Sequence, residues 1–207
     1  MLGISYIVNT VFTSRTYILA NNNNYWLVDC GEVSAIIEWL TTLHGKDFNI
    51  KGVLLTHAHY DHIYGLPLLL DLFPNIVIYT NDSGRVALAN ERINMSRYHE
   101  DPINLVADNV IVCKEGDSIA LFDYFRAKVY YTPGHNPSCL CYEVGNYLFT
   151  GDAFIPGIDV VTTLPGADKE LAKNSEERIK MLAAGKIVCP GHELNKELPV
   201  GKIYDRL

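Results

Sequence analysis

The alternation of apolar and polar positions divides the chain into short segments. Residues 4–8 (ISYIV) and 16–20 (TYILA) are β-branched and aromatic runs of strand length. NNNN at 21–24 predicts a turn, because Asn tolerates left-handed backbone geometry, and YWLVD at 25–29 predicts a further strand. Residues 33–44 (VSAIIEWLTTLH) space their apolar positions at helical intervals and stop at Gly45. GVLLT at 52–56 predicts a strand, 62–72 a helix stopped before Pro74, IVIYT at 76–80 a strand, and 82–100 a polar helix. From there the pattern becomes a series of β segments at 110–116, 118–122, 128–132, 139–144 and 147–152, which predicts an antiparallel sheet. Residues 168–184 predict an amphipathic helix, and KIVCPGH at 186–192 the last strand. No low-complexity linker interrupts the chain, so one domain over residues 1–207 is expected. Two β-rich sheets in one core with helices outside is the packing this order favours.

Composition narrows the choice of partners. The chain has 207 residues, 48% of them hydrophobic, enough to bury a core without disulfide staples. A net charge of −7 and the lack of a Lys/Arg run argue against a nucleic-acid partner. No apolar run reaches the roughly 18 residues of a membrane span. MLGISYIVNT has no charged region followed by a long apolar core, so no signal peptide, and hence a cytoplasmic location, is expected. The five cysteines (Cys30, Cys113, Cys139, Cys141, Cys189) are odd in number, widely spaced and without a CxxC pair. They read as reduced, half-buried thiols rather than a zinc cluster.

Chemistry concentrates at five places. His57-Ala58-His59-Tyr60-Asp61-His62 follows the apolar GVLL directly. Residues two apart in extended chain share a face, so His57 and His59 project together, while Asp61 sits where a helix N-cap would be and His62 opens the helix. Treating positions as independent, such a cluster arises in roughly one shuffled chain in two thousand. The other four places are Pro133-Gly134-His135, Thr150-Gly151-Asp152, Pro190-Gly191-His192 and Asp29-Cys30-Gly31. Each is weak alone, since a lone His or Asp in a turn is commonly just a turn former. Together they repeat one habit: an apolar strand, a tight turn, then a single His or Asp. A His/Asp set without cysteine suits Zn²⁺, Fe or Mn²⁺.

The order HxHxDH, PGH, GD, PGH resembles the metallo-β-lactamase-fold hydrolase superfamily, from Val28-Asp29-Cys30-Gly31 to Pro190-Gly191-His192, with Gly65 three residues past the last His of the first motif. The resemblance implies an α/β fold, a four-layer αββα sandwich of two mixed β-sheets flanked by helices. It implies that His57, His59 and His135 hold one divalent metal, that Asp61, His62 and His192 hold a second, and that Asp152 bridges them. Zinc comes first, with iron or manganese as alternatives. Asp29 matches a supporting aspartate that orients ligands.

The chemistry implied is attack of a metal-activated hydroxide on the carbonyl of a small-molecule substrate, with Asp61 orienting the nucleophile. No GxSxG is present, which argues against a serine hydrolase. Thr-Pro-Gly-His, Leu-Phe-Thr-Gly-Asp and Asn94-Met95-Ser96 are most similar to the small glyoxalase II-like group, so a thioester or ester is the expected substrate. Two features depart from that group. Fifteen residues follow His192, so the helical domain carrying basic glutathione contacts in full-length members is not expected; residues 136–139 read Asn-Pro-Ser-Cys. The alternatives are a lactonase, a persulfide dioxygenase with one iron on His57, His59 and His135, and a non-catalytic metal-binding module. Segments 82–101 and 154–170 are candidate substrate walls, with Tyr60, Tyr64 and Phe154 as apolar contacts; His44 and His99 read as surface or core histidines.

Overall fold

The computed structural model describes residues 2–192 and 203–206. Strands β1 (Gly3–Val8), β2 (Arg15–Asn21), β3 (Asn24–Val28), β4 (Asn49–Leu54), β5 (Val77–Thr80) and β6 (Val110–Val112) join β12 (Ile203–Arg206) in one sheet. A second sheet holds β7 (Ser118–Phe122), β8 (Phe125–Tyr131), β9 (Leu140–Val144), β10 (Tyr147–Gly151) and β11 (Ile187–Pro190). The helices are α1 (Val33–His44), α2 (Tyr60–Ile63), α3 (Leu66–Leu72), α4 (Asp82–Leu88) and α5 (Lys169–Leu182). Both sheets are mixed: β3 to β6 are parallel neighbours, as are β10 and β11, and the remaining pairs are antiparallel.

The layering follows from the period of two along each strand. On β1 to β3, Tyr6, Tyr17, Leu19, Trp26 and Val28 point between the sheets, where they meet Val129, Tyr142 and Phe149. The alternate residues Ile7, Ile18, Tyr25 and Leu27 face outward and are covered by Val33, Ile36 and Leu40 of α1 and Leu66 and Leu69 of α3. On the second sheet, Cys139, Cys141 and Leu148 face Ile179 of α5. Strands apolar on both faces therefore require helices on both outer surfaces, and the result is the expected αββα sandwich. All five cysteines are free and buried rather than half-buried.

Several elements differ from the sequence expectation for identifiable reasons. The helix expected over 62–72 is two short helices. Pro67 removes an N–H from the ladder and opens α3, the Gly65 N–H goes to the Cys30 carbonyl (2.9 Å), and the Asp61 carbonyl accepts from Ser14 Oγ (2.7 Å). The polar helix expected over 82–100 ends at Leu88. Asn94 Nδ2 donates to the Ala87 and Ile103 carbonyls, both at 2.9 Å, and Met95 takes a left-handed conformation, which breaks the helical ladder. The 110–116 segment forms β6 parallel to β5 in the first sheet, outside the antiparallel series. Ile203–Arg206 is a strand beyond the one expected to be last, and it pairs with β1. Sheet membership and direction depend on contacts far away in sequence, which local alternation does not encode.

Gly65 seats the α2–α3 corner against the end of β3. A Cβ there would overlap the Gly31 carbonyl oxygen and lie 2.6 Å from Val33 Cγ2. Gly65→Ala should therefore lower stability by about 1–3 kcal/mol, the usual cost of forcing an extra carbon into a packed site. Denaturant unfolding of chelator-treated protein measures this, free of any contribution from bound metal.

Candidate metal centre

The strand ends converge because the two sheets are hydrogen-bonded across one edge. Leu140 N–H donates to the Thr56 carbonyl (2.7 Å), Arg15 N–H to the Gly191 carbonyl (2.8 Å), and Tyr142 Oη to the Leu55 carbonyl (2.9 Å). Ser138 Oγ accepts the Ala58 N–H (3.0 Å). These bonds bring together the residues that follow β4 (His57, His59, Asp61, His62), β8 (His135), β10 (Asp152) and β11 (His192).

Each imidazole is aimed by a partner on its other nitrogen. His62 Nδ1 donates to Asp29 Oδ2 (2.8 Å), His135 Nδ1 to the Val161 carbonyl (2.9 Å), and His192 Nδ1 to the Phe12 carbonyl (3.1 Å). Thr56 Oγ donates to Asp29 Oδ2 at 2.7 Å, so its lone pairs face His57 Nδ1 at 3.3 Å. These four rings thus turn Nε2 inward. His59 is reversed: Asn136 Nδ2 lies 2.9 Å from its Nε2, and its Nδ1 points inward, 3.0 Å from His135 Nε2. Asn136 is fixed in turn by the Ser138 N–H and Oγ on its Oδ1 (2.8 and 2.6 Å).

Three sets of donor atoms lie within 4.8 Å of one another: His57–His59–His135, His57–His62–Asp152, and Asp61–His62–His192. Asp152 sits between the two ends. Its Oδ1 is 3.4 Å from His62 Nε2, and its Oδ2 is 3.4 Å from His192 Nε2 and 3.8 Å from His135 Nε2. Asp61 Oδ2 lies 3.2 Å from His192 Nε2 and 3.4 Å from His62 Nε2. Among the described residues, His57 Nε2 and Asp152 Oδ1 are buried without a hydrogen bond. Buried polar atoms left without a hydrogen bond are costly, and a cation bound between them removes that cost. The residues therefore fit divalent metal. Asp61 is in the first turn of α2 rather than at its N-cap, which is His59.

Electrostatics divides the cluster. Burial drives the His57 imidazole well below its ordinary value, and burial, reinforced by His135, takes His59 down to about 4. Burial also opposes charge on His62 and His192, but carboxylates outweigh it: Asp61, Asp152 and Asp29 raise His62 well above its usual range, and Asp152 and Asp61 raise His192 to about 9. Asp152 is held well below the normal carboxylate range, its burial overcome by His62 and His192.

A cavity of about 360 Å³ opens onto this cluster. Its floor is His59, Asp61, His135, Asp152 and His192, and its walls include Phe12, Tyr60, Met95, Tyr98, Val161 and Leu164. Both expected wall segments contribute. Of the three aromatics expected there, Tyr60 lines the cavity. Tyr64 instead packs with the α1–α3 core and reaches Glu32 Oε2 (3.1 Å), and Phe154 packs on the α5 side. His44 bonds Tyr25 Oη (2.6 Å) away from the site, whereas His99 lines the cavity, stacked on Tyr60 at 3.8 Å. The sequence reading missed Phe12, Tyr98, His99, Thr56 and Asn136. Thr56 carried a signal in its place between strand and first histidine; Phe12, in an ordinary polar loop, carried none.

An αββα sandwich with imidazoles and carboxylates gathered at one edge of both sheets is the build of a metallo-hydrolase. A family model described as the metallo-beta-lactamase superfamily matches residues 9–192, and the chain belongs to that superfamily. A hydroxyacylglutathione hydrolase from Xylella fastidiosa (strain 9a5c) is 30% identical over 176 residues, which cover 85% of this chain and 58% of that protein. The chain thus spans less than two thirds of that relative's length. A Streptococcus pyogenes serotype M6 protein named "probable metallo-hydrolase" is 26% identical over 200 residues, covering 93% of this chain and 84% of that one. Among solved structures, the BLEG-1 B3 metallo-beta-lactamase superposes with a TM-score of 0.78 at 27% identity, covering 98% of this chain and 93% of the other. Among the described residues, no helix is long and apolar enough to cross a membrane.

Two expected outcomes follow from this geometry. Asp29 accepts from Thr56 N (2.7 Å), Thr56 Oγ and His62 Nδ1, at a left-handed φ of 61° that Asn also tolerates. Asp29→Asn should keep the fold and lower metal affinity by roughly 10–100-fold, measured by competition with a chromogenic chelator. In metal-free protein, the raised His62 and His192 add stability below about pH 6.5 that is lost as pH climbs towards about 9. The depressed His57 and His59 remove stability as pH falls from 6.5 towards about 4. The melting temperature of chelator-treated protein should therefore peak near pH 6.5. Differential scanning calorimetry across pH 4–9 checks it; a steady rise up to pH 9 would contradict the assignment.

Proposed function

We propose that this protein is a metal-dependent hydrolase of a small carbonyl substrate, a thioester or ester, with two divalent cations in the cluster. His57, His59 and His135 would hold one cation, Asp61, His62 and His192 the other, with Asp152 between them. The observation that carries the reading is the pair of buried, unbonded acceptors, His57 Nε2 and Asp152 Oδ1, at the centre of three overlapping donor sets. A donor set of imidazole and carboxylate favours zinc, with iron or manganese as the other candidates. A single-iron dioxygenase needs only His57, His59 and His135 and leaves the Asp61–His62–His192 set without a role. The 30% identity to a hydroxyacylglutathione hydrolase supports the thioester class.

When bound, such cations polarise a carbonyl and acidify water at neutral pH. The protein's own part is positioning. Asp61 lines the cavity floor with its carboxylate held below the usual range, where His62 and His192 outweigh burial. It can accept a hydrogen bond from the attacking water and align it with the carbonyl. Apolar side chains on the walls lower the local dielectric beside these groups and strengthen their interactions. The Phe12 and Val161 carbonyls keep His192 and His135 turned inward, so loop backbone on both sides of the mouth sets ligand orientation. The five free thiols are consistent with a reducing, cytoplasmic setting.

Metal-reconstituted protein assayed against thioesters, lactones, phosphodiesters and β-lactams should turn over thioesters or esters most rapidly. Protein that binds two equivalents of zinc, manganese or iron and cleaves none of them would overturn the reading. Asp152→Ala should lose metal content and lose more activity than the roughly 10–100-fold cost of changing a supporting residue. Elemental analysis beside the rate assay checks both.

A further inference from the structure

We propose that the cavity selects an uncharged substrate bearing an apolar, ring-sized group, seated among Phe12, Tyr98, Val161 and Leu164, and discriminates against anionic thiol esters such as those of glutathione. The inference rests on the hydrolase reading and names its substrate class.

The cavity wall is apolar, and among the described residues that line it there is no lysine or arginine. The carboxylates at its floor, Asp61 and Asp152, are those assigned to the cations. The carboxylates of a glutathionyl half would lie away from the reacting carbonyl and need partners on the wall. A desolvated carboxylate without a partner is strongly disfavoured. Arg97 stacks 5.7 Å from the Tyr98 ring and does not line the cavity.

The wall is built rather than incidental. Phe12 and Thr13 are both held at positive φ, 51° and 55°, a conformation disfavoured for bulky residues. That turn leaves the Phe12 ring 67% exposed at the cavity while its carbonyl accepts from His192 Nδ1 at 3.1 Å. The ring stands edge-on to His99, centroids 6.0 Å apart, and His99 stacks on Tyr60. Tyr98, 74% exposed, adds a second ring. A volume of about 360 Å³ suits a small molecule with one ring-sized group.

The test uses zinc-reconstituted protein and two non-hydrolysable thioethers with the same ring: S-benzyl-N-acetylcysteamine, which is neutral, and S-benzylglutathione. Calorimetric titration should give a Kd about tenfold or more tighter for the neutral compound. Phe12→Asn, which keeps a residue tolerant of positive φ, and Tyr98→Ala should each weaken the neutral compound by about threefold or more and reduce the preference. Equal or tighter binding of S-benzylglutathione overturns the proposal, as does a preference unchanged in both variants. The matching S-benzoyl thioesters separate the two readings. Turnover favouring the glutathione thioester sinks the substrate class alone. Absence of turnover on both and on the wider substrate panel sinks the hydrolase reading, while the thioether titration still decides which ligand the wall prefers.

Discussion

The Asp29 carboxylate is the joint on which the site depends. It is fully buried at the end of β3 and accepts from Thr56 N, Thr56 Oγ and His62 Nδ1, all within 2.8 Å. One anion thereby ties β3 to the end of β4 and to the first turn after it. Burial alone pushes this carboxyl up, and the three donors oppose that shift. Through Thr56 the same carboxylate orders His57, and by accepting from His62 Nδ1 it orients the ring that faces Asp61 and Asp152. Removing its charge loosens two of the inward-facing imidazoles together, because both take their orientation from one group.

Around this joint the protein gathers groups that repel or starve one another without cations. Five imidazoles and two carboxylates share the end of a sandwich whose sheets pack against each other through an apolar core. The strain is divided rather than shared. His57 and His59 stay neutral because burial dominates there, whereas His62 and His192 hold protons because Asp61 and Asp152 are close. A cation entering the second half must displace those protons, so metal binding and proton release are linked. Tightly packed sheets supply the force that holds such a cluster together.

The floor and the wall of the cavity have different origins. Floor residues follow strands, and the backbone hydrogen bonds between sheets position them. The wall comes from loops: the turn carrying Phe12, the segment carrying Met95, Tyr98 and His99, and the segment carrying Val161 and Leu164. A floor set by the sheets and a wall set by loops allow one chemistry to be paired with different substrates. Phe12 joins the two, since its carbonyl orients His192 while its ring lines the mouth.

Much of this was legible in local pattern. Period-two alternation announced the strands, helical spacing announced α1 over Val33–His44, and the apolar character of β2 on both faces required layers on each side. The HxHxDH run marked His57, His59, Asp61 and His62, and the habit of strand, turn, then a single His or Asp marked His135, Asp152 and His192; the structure brings donor atoms of these residues near one another. These signals are local because a strand's end and a turn's chemistry are set by a few neighbouring residues. Tertiary structure decided what depends on distant partners. It put β6 beside β5 and β12 beside β1, ended the polar helix at Leu88 through Asn94, and turned His59 the opposite way from the other four rings. It also chose the cavity wall, placing His99 and Phe12 there and Tyr64 in the core. An aromatic residue in a polar loop looks the same whether it packs inward or faces a substrate, and only the arrangement of remote loops around the sheet edge separates the two.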